Sequence, residues 1–149
     1  MQKSDHTPTE IAFIEGDVFD AKSYGADGLA VFYSGLSAVS ANGTRHRNDS
    51  EFNASFTLVR YIDTNRNKVE NIEVMRQLLG GVLGELAAAG CRTIAMNGIR
   101  IHTRPDMSTR SEKYQIEFIR EWLAGHPGVF AKVCLIDRRG GFNHADEKL

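Results

Sequence analysis

Five apolar runs along the chain predict five β-strands. Each run is nearly continuous, without the alternation of apolar and polar residues that a strand with one solvated face shows. The predicted strands cover residues 11–15, 27–33, 56–62, 92–99 and 131–137. Continuous runs are typical of strands that helices cover on both faces, so we expect a mixed or mostly parallel sheet.

Between the third and fourth strands, apolar residues recur every three to four positions and predict one buried helical stripe. The stripe consists of Val69, Ile72, Met75, Leu79, Val82 and Leu86. Asn67 followed by Glu70 can cap the start of this helix, and Gly90 can end it. Three glycines lie inside it, Gly80, Gly81 and Gly84. Because glycine weakens helices, we expect close approach to the sheet or a local bend to explain them.

A second helix is predicted to start near Thr109, which can form a capping box with Glu112, and to end at Gly125. Its inward-facing residues are Ile116, Ile119, Trp122 and Leu123. This helix returns the chain to the last predicted strand.

The order of strands and helices predicts a single α/β domain over residues 1–149. We expect a three-layer α/β/α sandwich whose parallel strands are joined by right-handed crossovers. Residues 1–9 and 143–149 have no periodic apolar face, so we expect them to fray. Phe142 is expected to dock on the body of the domain.

Composition and charge narrow the classes of function. The 149 residues include 18 basic and 19 acidic side chains, for a net charge of -1. No global positive field attracts such a chain to DNA or to an anionic membrane, so we expect neither as a partner. No apolar stretch reaches the roughly 20 residues of a membrane span, and residues 1–10 lack the apolar core of a signal peptide. We therefore expect a cytoplasmic protein.

The cysteines and histidines predict neither a metal site nor a disulfide framework. Cys91 and Cys134 lie in apolar stretches, and we expect both to be reduced core thiols. No two of the five histidines have the i, i+4 spacing of a helical zinc site. The sequence signatures of serine hydrolases, dinucleotide-binding enzymes and P-loop NTPases are also absent. We therefore expect no metal and no bound cofactor.

Ligands of open α/β sheets bind beyond the carboxyl ends of the strands, where loops and helix N-termini present main-chain N–H groups. Five positions of this chain follow predicted strands and are candidates on that rule. They are Gly16–Asp17, Ser34–Gly35, Asp63–Thr64, the residues after Asn97–Gly98, and residues 138–141.

Two polar loops lie at the same predicted edge. Residues 34–55 are rich in Gly, Ser and Asn and contain Arg45, His46 and Arg47. This loop either turns main-chain amides toward a phosphate or is an ordinary solvated loop. The second loop, residues 100–112, leads into a helix N-terminus, where anions bind well. Its basic residues either assist such an anion or are ordinary surface charge.

Three stretches of the chain resemble a macro domain, the α/β/α module that binds ADP-ribose. IAFIEGDV resembles the opening strand of that family and its Gly-Asp-Ile/Val motif. ADGLAVFYS resembles the strand Asp-Ala-Ile-Val-Asn-Ala-Ala-Asn, and CRTIAMNGIRIH resembles the strand and loop Ser-Ile-Ala-Phe-Pro-Ala-Ile-Ser-Thr-Gly. The three stretches occur in the order found in the family and span nearly the whole chain.

The resemblance implies that Asp17 accepts a hydrogen bond from the adenine amino group and that Val18 makes a main-chain contact beside it. The alternative for Gly16–Asp17 is a turn that caps the following segment. The other ligand-binding candidates follow the second and fourth strands or lie near the C-terminus. They are Ser34, Gly35, Gly98, Ile99, Arg100, Ile101, His102 and Phe142.

The chain departs from the family pattern where catalytic members carry asparagine. Ser34 stands at the end of the second strand, and Val31 takes the place of the first asparagine of that strand. The glycine-rich phosphate loop becomes SGLSAVSAN, and the Ser-Thr-Gly loop becomes residues 100–102. The resemblance therefore implies binding of ADP-ribose or a related adenine nucleotide without turnover, with ADP-ribosylated protein as a candidate partner.

Two alternative functions stay open. The first is a hydrolase acting on ADP-ribose derivatives or phosphoesters, with Asp63, His102 or Asp106 as the general base. The second is a protein-interaction module that lost the ligand pocket. In that case four aromatic residues would cluster at a surface, Tyr33, Phe52, Phe56 and Tyr61.

Overall fold

The computed structural model describes residues 8–34, 54–62, 68–99, 111–137 and 142. Within these ranges the chain forms five strands, two α-helices and one 3₁₀ segment. In chain order they are β1 (Glu10–Glu15), the 3₁₀ segment (Val18–Tyr24), β2 (Gly28–Ser34), β3 (Phe56–Ile62), α1 (Lys68–Ala88), β4 (Thr93–Met96), α2 (Ser111–Gly125) and β5 (Lys132–Asp137). The five predicted strands and the two predicted helices are confirmed.

The five strands form one sheet in the order β1-β5-β4-β2-β3. Every neighbouring pair of these strands is parallel. In the register of the central strands, Ala30 lies opposite Met96, and Ser34 lies opposite Ile62. The prediction of a mostly parallel sheet is confirmed.

Connections that cross the sheet in opposite directions lie on opposite faces. α1 links β3 to β4 and α2 links β4 to β5, so both move toward β1, and both helices pack on one face. The 3₁₀ segment starts the connection from β1 to β2, which moves toward β3, and packs on the other face. A single handedness of crossover requires this arrangement. The result is an α/β sandwich with the sheet as its middle layer.

The helical face of the sheet holds the larger hydrophobic core. Its fully buried side chains include Met75, Leu79, Leu83 and Leu86 of α1, Ile116 and Ile119 of α2, and Ile94, Met96, Val133 and Leu135 of the sheet. Phe142 is 1% exposed and belongs to this core, so the prediction that it docks on the body is confirmed.

The 3₁₀ segment covers the opposite face, and the sequence did not predict it. Val18 and Ala21 are its buried residues. They pack with the side chains that β2, β4 and β5 turn to this face, namely Leu29, Val31, Ala95, Cys134 and Ile136. Ala21 follows Val18 by three positions, and both side chains pack on the sheet although the main chain kinks at Asp20 between them (φ -93°, ψ 30°).

One expectation about α1 is wrong. Val69 is 75% exposed, because it lies in the first turn of the helix, before the stripe that packs on the sheet. Of the two explanations for the three internal glycines, close approach does not hold: among the described residues, a Cβ atom placed at Gly80, Gly81 or Gly84 would meet no atom within 4 Å outside the local helix backbone. The local bend stays a prediction.

Asp27 joins β2 to β4 at the amino edge of the sheet. Its carboxylate accepts the N–H of Arg92 and the N–H of Thr93, each at 3.1 Å. Its own N–H donates to the carbonyl oxygen of Thr93 at 2.9 Å. The acidic residue before β2 therefore orders the start of a strand more than 60 positions away in the sequence.

Both cysteines are buried free thiols, as predicted. Burial raises the pKa of the Cys91 thiol, and the Asp27 carboxylate adds to that rise. Burial also raises the pKa of the Cys134 thiol. Two charges have smaller effects on this pKa: Lys132 lowers it and Glu10 raises it.

The chain ends are described only in part. Residues 1–7 and 143–149, where fraying is predicted, lie outside the described residues. Thr9 donates its hydroxyl to the carbonyl oxygen of Phe130 at 2.7 Å. Within the described ranges, no helix combines the length and the apolar character that crossing a bilayer requires.

Candidate functional site

Because all five strands are parallel, their carboxyl ends lie along one edge of the sheet, which we call the carboxyl edge. Across this edge the sequence of strand ends is Glu15, Asp137, Met96, Ser34 and Ile62. The predicted site consists of three stretches at this edge. One follows β1, one follows β4, and the third is the end of β2.

The chain turns sharply after β1. The N–H of Gly16 donates to the carbonyl oxygen of Asp137 at 2.7 Å, which extends the β1–β5 pairing by one residue. A Cβ atom at residue 16 would clash with the hydroxyl of Tyr24, so any other residue there would require the Tyr24 side chain to shift.

Asp17 starts the 3₁₀ segment through its main chain. Its carbonyl oxygen accepts the N–H of Asp20 at 2.9 Å, and the residue is half-buried. Any amino acid can supply that carbonyl oxygen. The structure shows the turn at Gly16–Asp17, and the ligand contact of the Asp17 carboxylate stays a prediction.

The pairing of β2 with β4 ends before the carboxyl edge, and we call the unpaired stretch between these two strands the gap. These strands pair only over Gly28–Ala30 and Ile94–Met96, whereas β2 continues to Ser34 alongside β3. From β2 the chain proceeds to β3, and from β4 it proceeds to β5, in opposite directions across the sheet. A reversal of this kind between neighbouring strands leaves a crevice where α/β proteins bind ligands.

Asn97 bridges the start of this gap. Its Oδ1 accepts the N–H of Phe32 at 2.7 Å, and its Nδ2 donates to the carbonyl oxygen of Phe32 at 3.0 Å. The side-chain amide thus takes the place that a strand peptide of β4 would fill. Main-chain groups along a strand alternate in direction, so those of Ser34 point the same way as those of Phe32. The main chain of Ser34 is therefore directed at the gap.

Gln115 of α2 holds the segment that follows β4. Its Oε1 accepts the N–H of Ile99 at 2.7 Å, and its Nε2 donates to the carbonyl oxygen of Asn97 at 3.0 Å. Gln115 is 0% exposed. The carboxamide therefore bonds the chain on both sides of Gly98, as a neighbouring strand would.

The structure brings several predicted site residues to the carboxyl edge, in different environments. Gly98 is half-buried above the ring of Phe142, whose nearest carbon would lie 3.5 Å from a Cβ at residue 98. Val18 and Ile99 have buried side chains, so either would meet a ligand through main-chain atoms only. Phe142 lies in the core below the edge.

The other predicted site residues lie outside the described residues. These are Gly35, Arg100, Ile101 and His102. The same holds for the candidate bases Asp63 and Asp106 and for the aromatic Phe52. Their predicted roles stay predictions.

Sequence analysis missed Asn97 and Gln115 as contributors to this edge. Gln115 lies one position before Ile116 and four before Ile119, on the buried side of α2. A polar residue on a buried stripe is the signal that could have indicated it, because a buried carboxamide needs partners.

Two of the four aromatic residues assigned to an interaction surface do meet. The rings of Tyr33 and Tyr61 are stacked, with centroids 5.5 Å apart, and Tyr61 is 50% exposed. Phe56 packs on the opposite face of the sheet, against the helical core. The described residues contain no group of three or more His, Cys, Asp or Glu side chains that could hold a metal ion.

Solved structures share this arrangement of strands and helices. A crystal structure of a Trypanosoma brucei macrodomain matches with a TM-score of 0.68 and 14% identity, covering 93% of this chain and 66% of that chain. The Trypanosoma brucei macrodomain in complex with ADP matches with a TM-score of 0.65 and 15% identity, covering 93% of this chain and 68% of the other. The chain thus spans about two thirds of the length of these structures.

The chain is an α/β sandwich, and its fold is that of a macrodomain. The predicted resemblance is confirmed at this level, and the low identity fits a divergent sequence. No protein-family model matches the sequence, and a search among curated proteins found no match either.

Proposed function

We propose that this chain binds ADP-ribose or a related adenine nucleotide at the carboxyl edge of its sheet. The observation that carries the proposal is the gap between β2 and β4, which lies on the same edge as Asp17. A Trypanosoma brucei macrodomain with the same fold forms a complex with ADP, which supports an adenine nucleotide as the ligand.

The strand order favours an extended ligand. Asp17 follows β1, which is two strand positions from β4 and three from β2. Neighbouring strands are about 4.8 Å apart, so the end of β1, which Asp17 follows, lies roughly 10 Å from the end of β4 and roughly 14 Å from the end of β2. A ligand that meets all three must reach along the edge. A base and a sugar joined through a diphosphate has that shape, whereas a mononucleotide is too short.

In this proposal Asp17 selects the base and the gap receives the rest of the ligand. An ionised carboxylate offers only acceptors, which suits the exocyclic amino group of adenine. The main chain of Ser34 and Gly98 offers N–H groups and carbonyl oxygens to ribose or phosphate. Main-chain N–H groups need no net positive charge, which fits a protein with a net charge of -1.

We further propose binding without turnover. In the resemblance, Val31 takes the position of the first asparagine of the second strand in catalytic members. Val31 is 1% exposed and packs in the core under the 3₁₀ segment, so its side chain has no access to a ligand in the gap. An ADP-ribosylated protein incubated with the chain should therefore keep its modification, and stoichiometric release over hours would contradict this part of the proposal.

Calorimetric titration tests the binding site. Wild-type protein should bind ADP-ribose more tightly than ADP, and ADP more tightly than AMP, because only the longer ligands span the edge. Replacing Asp17 with alanine or asparagine should weaken ADP-ribose binding by about ten- to hundredfold, since hydrogen bonds to charged groups contribute about 1.5–3 kcal/mol.

Asp20→Ala is the matched control for the Asp17 variants. Asp20 lies on the 3₁₀ segment that follows Asp17, has an exposed side chain of the same type, and should therefore leave the affinity unchanged when it is replaced. No binding of any adenine nucleotide by the wild type at millimolar concentration would reject the proposal. An equal loss of affinity in Asp17→Ala and Asp20→Ala would reject the role of Asp17.

Protein interaction is a second candidate function, favoured by Tyr61. This half-exposed ring stacks on Tyr33 and belongs to β3, an edge strand of the sheet. Exposed aromatic side chains are enriched at protein interfaces. If the chain acts in this way, a Tyr61→Ser variant should lose a partner in pull-down without nucleotide while keeping its affinity for ADP-ribose.

A further inference from the structure

A chain of amide hydrogen bonds runs from α2 to β2 beside the proposed binding gap. The Gln115 carboxamide bonds the main chain at Ile99 and Asn97. The Asn97 carboxamide in turn bonds the N–H and the carbonyl oxygen of Phe32. Each link pairs a donor with an acceptor at 2.7 to 3.0 Å. The segment after β4 is thus fixed from both sides, although it has left the sheet.

Packing alone does not explain a glutamine at position 115. The residue is 0% exposed on a helix face whose neighbours Ile116 and Ile119 are apolar, and a methionine of similar length would fill the same space. A buried carboxamide loses its hydration and gains stability only to the extent that its partners replace it. Here the two main-chain partners belong to the segment of residues 97–99, on which the proposed site depends, and Nε2 also lies 3.6 Å from the Met96 Sδ at the end of β4.

We propose that Gln115 is a positioning residue of the nucleotide site, which sets the main chain of residues 97–99 before the ligand arrives. This inference rests on the proposed function for its effect on binding. A segment that is already ordered loses less conformational freedom when a ligand binds, and this difference appears as affinity. Gln115 itself touches no ligand in this proposal, because its side chain is fully buried beneath the carboxyl edge.

Two measurements on Gln115→Met test the proposal. The first is ADP-ribose affinity, which should fall about tenfold, equal to about 1.4 kcal/mol. The second is amide hydrogen exchange without ligand. The N–H of Ile99 should lose its protection, whereas the N–H of Leu135 in the centre of the sheet should still exchange only with global unfolding.

Ile119→Val is the matched control for a purely structural effect. Ile119 is fully buried on α2 one turn after Gln115. Its truncation therefore removes core packing but no hydrogen bond to residues 97–99. The variant should be less stable than the wild type, with ADP-ribose affinity within twofold of the wild type, and with Ile99 still protected.

In a third variant, Gln115→Glu, a positioning role predicts that ADP-ribose affinity recovers at low pH, whereas a purely structural role does not. Its carboxyl group keeps an acceptor for the Ile99 N–H, and only its protonated form can donate to the carbonyl oxygen of Asn97. The affinity of this variant, relative to the wild type at each pH, should therefore recover as the pH falls.

The outcomes separate this inference from the proposed function. Unchanged ADP-ribose affinity in Gln115→Met, or an Ile99 amide that stays protected in that variant, would overturn the positioning role. If the wild type binds no nucleotide, the proposed function fails. The exchange measurement needs no ligand, so it would still decide whether Gln115 sets the segment after β4.

Discussion

Replacing the exposed helical glycines Gly81 and Gly84 with alanine should stabilise the protein. Both lie within the 21 residues of α1, and a Cβ at either position would meet no atom within 4 Å outside the local helix backbone. Alanine has fewer conformations to lose on folding than glycine, and it exposes less of the helix backbone to water. No contact in the described structure opposes that gain.

Because no described atom would clash with the added methyl groups, the full difference in helix propensity between glycine and alanine should appear as stability. Each substitution should raise the free energy of unfolding by about 0.5–1 kcal/mol. The double variant should gain about 1–2 kcal/mol, and its melting temperature should rise by about 2–4 °C for each kcal/mol in a protein of this size. Urea unfolding followed by circular dichroism measures the change, with the slope m expected to stay constant.

Gly28→Ala is the contrasting substitution. A Cβ at residue 28 would lie 2.7 Å from the Cys91 Sγ and 3.1 Å from a methyl carbon of Leu86. This variant should lose about 1–3 kcal/mol through overpacking. If Gly84→Ala lost stability as Gly28→Ala does, the helix would need its glycines for a contact outside the described residues, and the reasoning from open space would be refuted.

Three further predictions concern other parts of the molecule. Asp27→Ala should cost about 1–3 kcal/mol in urea unfolding, because it leaves two N–H groups at the start of β4 without their acceptor, and Asp27→Asn should cost less. The folded-state pKa of Cys134 is raised, so the stability that its neutral thiol contributes is present at neutral pH and is lost as the pH rises above about 8.5. Unfolding free energy should therefore fall less steeply between pH 8 and pH 10 in Cys134→Ala than in the wild type; equal slopes would contradict this. Arg76→Ala should cost about 0.5–1 kcal/mol, since the guanidinium lies 4.3 Å from the ring centroid of Phe118 and joins α1 to α2, and a double-mutant cycle with Phe118→Leu should show the coupling.

The sequence predicted the strands well, and the one large boundary error has a physical cause. The apolar run 92–99 predicted a strand to Ile99, but β4 ends at Met96. Ile99 is apolar because its side chain is buried in the core, not because its main chain pairs with β2. The Asn97 carboxamide replaces the strand pairing at that point. A run of apolar residues indicates which side chains are buried, and after β4 side-chain burial continues to Ile99 although the strand has ended at Met96.

The 3₁₀ segment escaped prediction because its signal is short. Among the described side chains of this segment the buried ones are Val18 and Ala21, too few to establish a helical period. They matter nevertheless, because they cover the face of the sheet that the two long helices leave open. The position of Asp17 just before this segment was predictable, whereas the close approach of Tyr24 to Gly16 was not.

The site itself depends on pairings that a single sequence does not encode in any local pattern. Asn97 and Phe32 are 65 positions apart in the sequence. Gln115 accepts a hydrogen bond from the N–H of Ile99, which is 16 positions away. Their partnership becomes visible only when the strand order places β4 beside β2. The same strand order sets about 14 Å between the ends of β1 and β2.

In the proposed function, the length of the ligand is a consequence of topology, since β5 and β4 lie between β1 and β2 and separate the base contact at Asp17 from the gap. On that proposal the chain can replace the glycines and asparagines of a phosphate loop and still select an extended nucleotide, provided that main-chain groups at the gap stay in position. That requirement falls on Asn97 and Gln115, whose carboxamides bond the main chain beside the gap where β4 ends. Loss of either amide should then cost affinity most for ligands that span the whole edge and least for AMP, a ranking that general destabilisation of the fold would not produce.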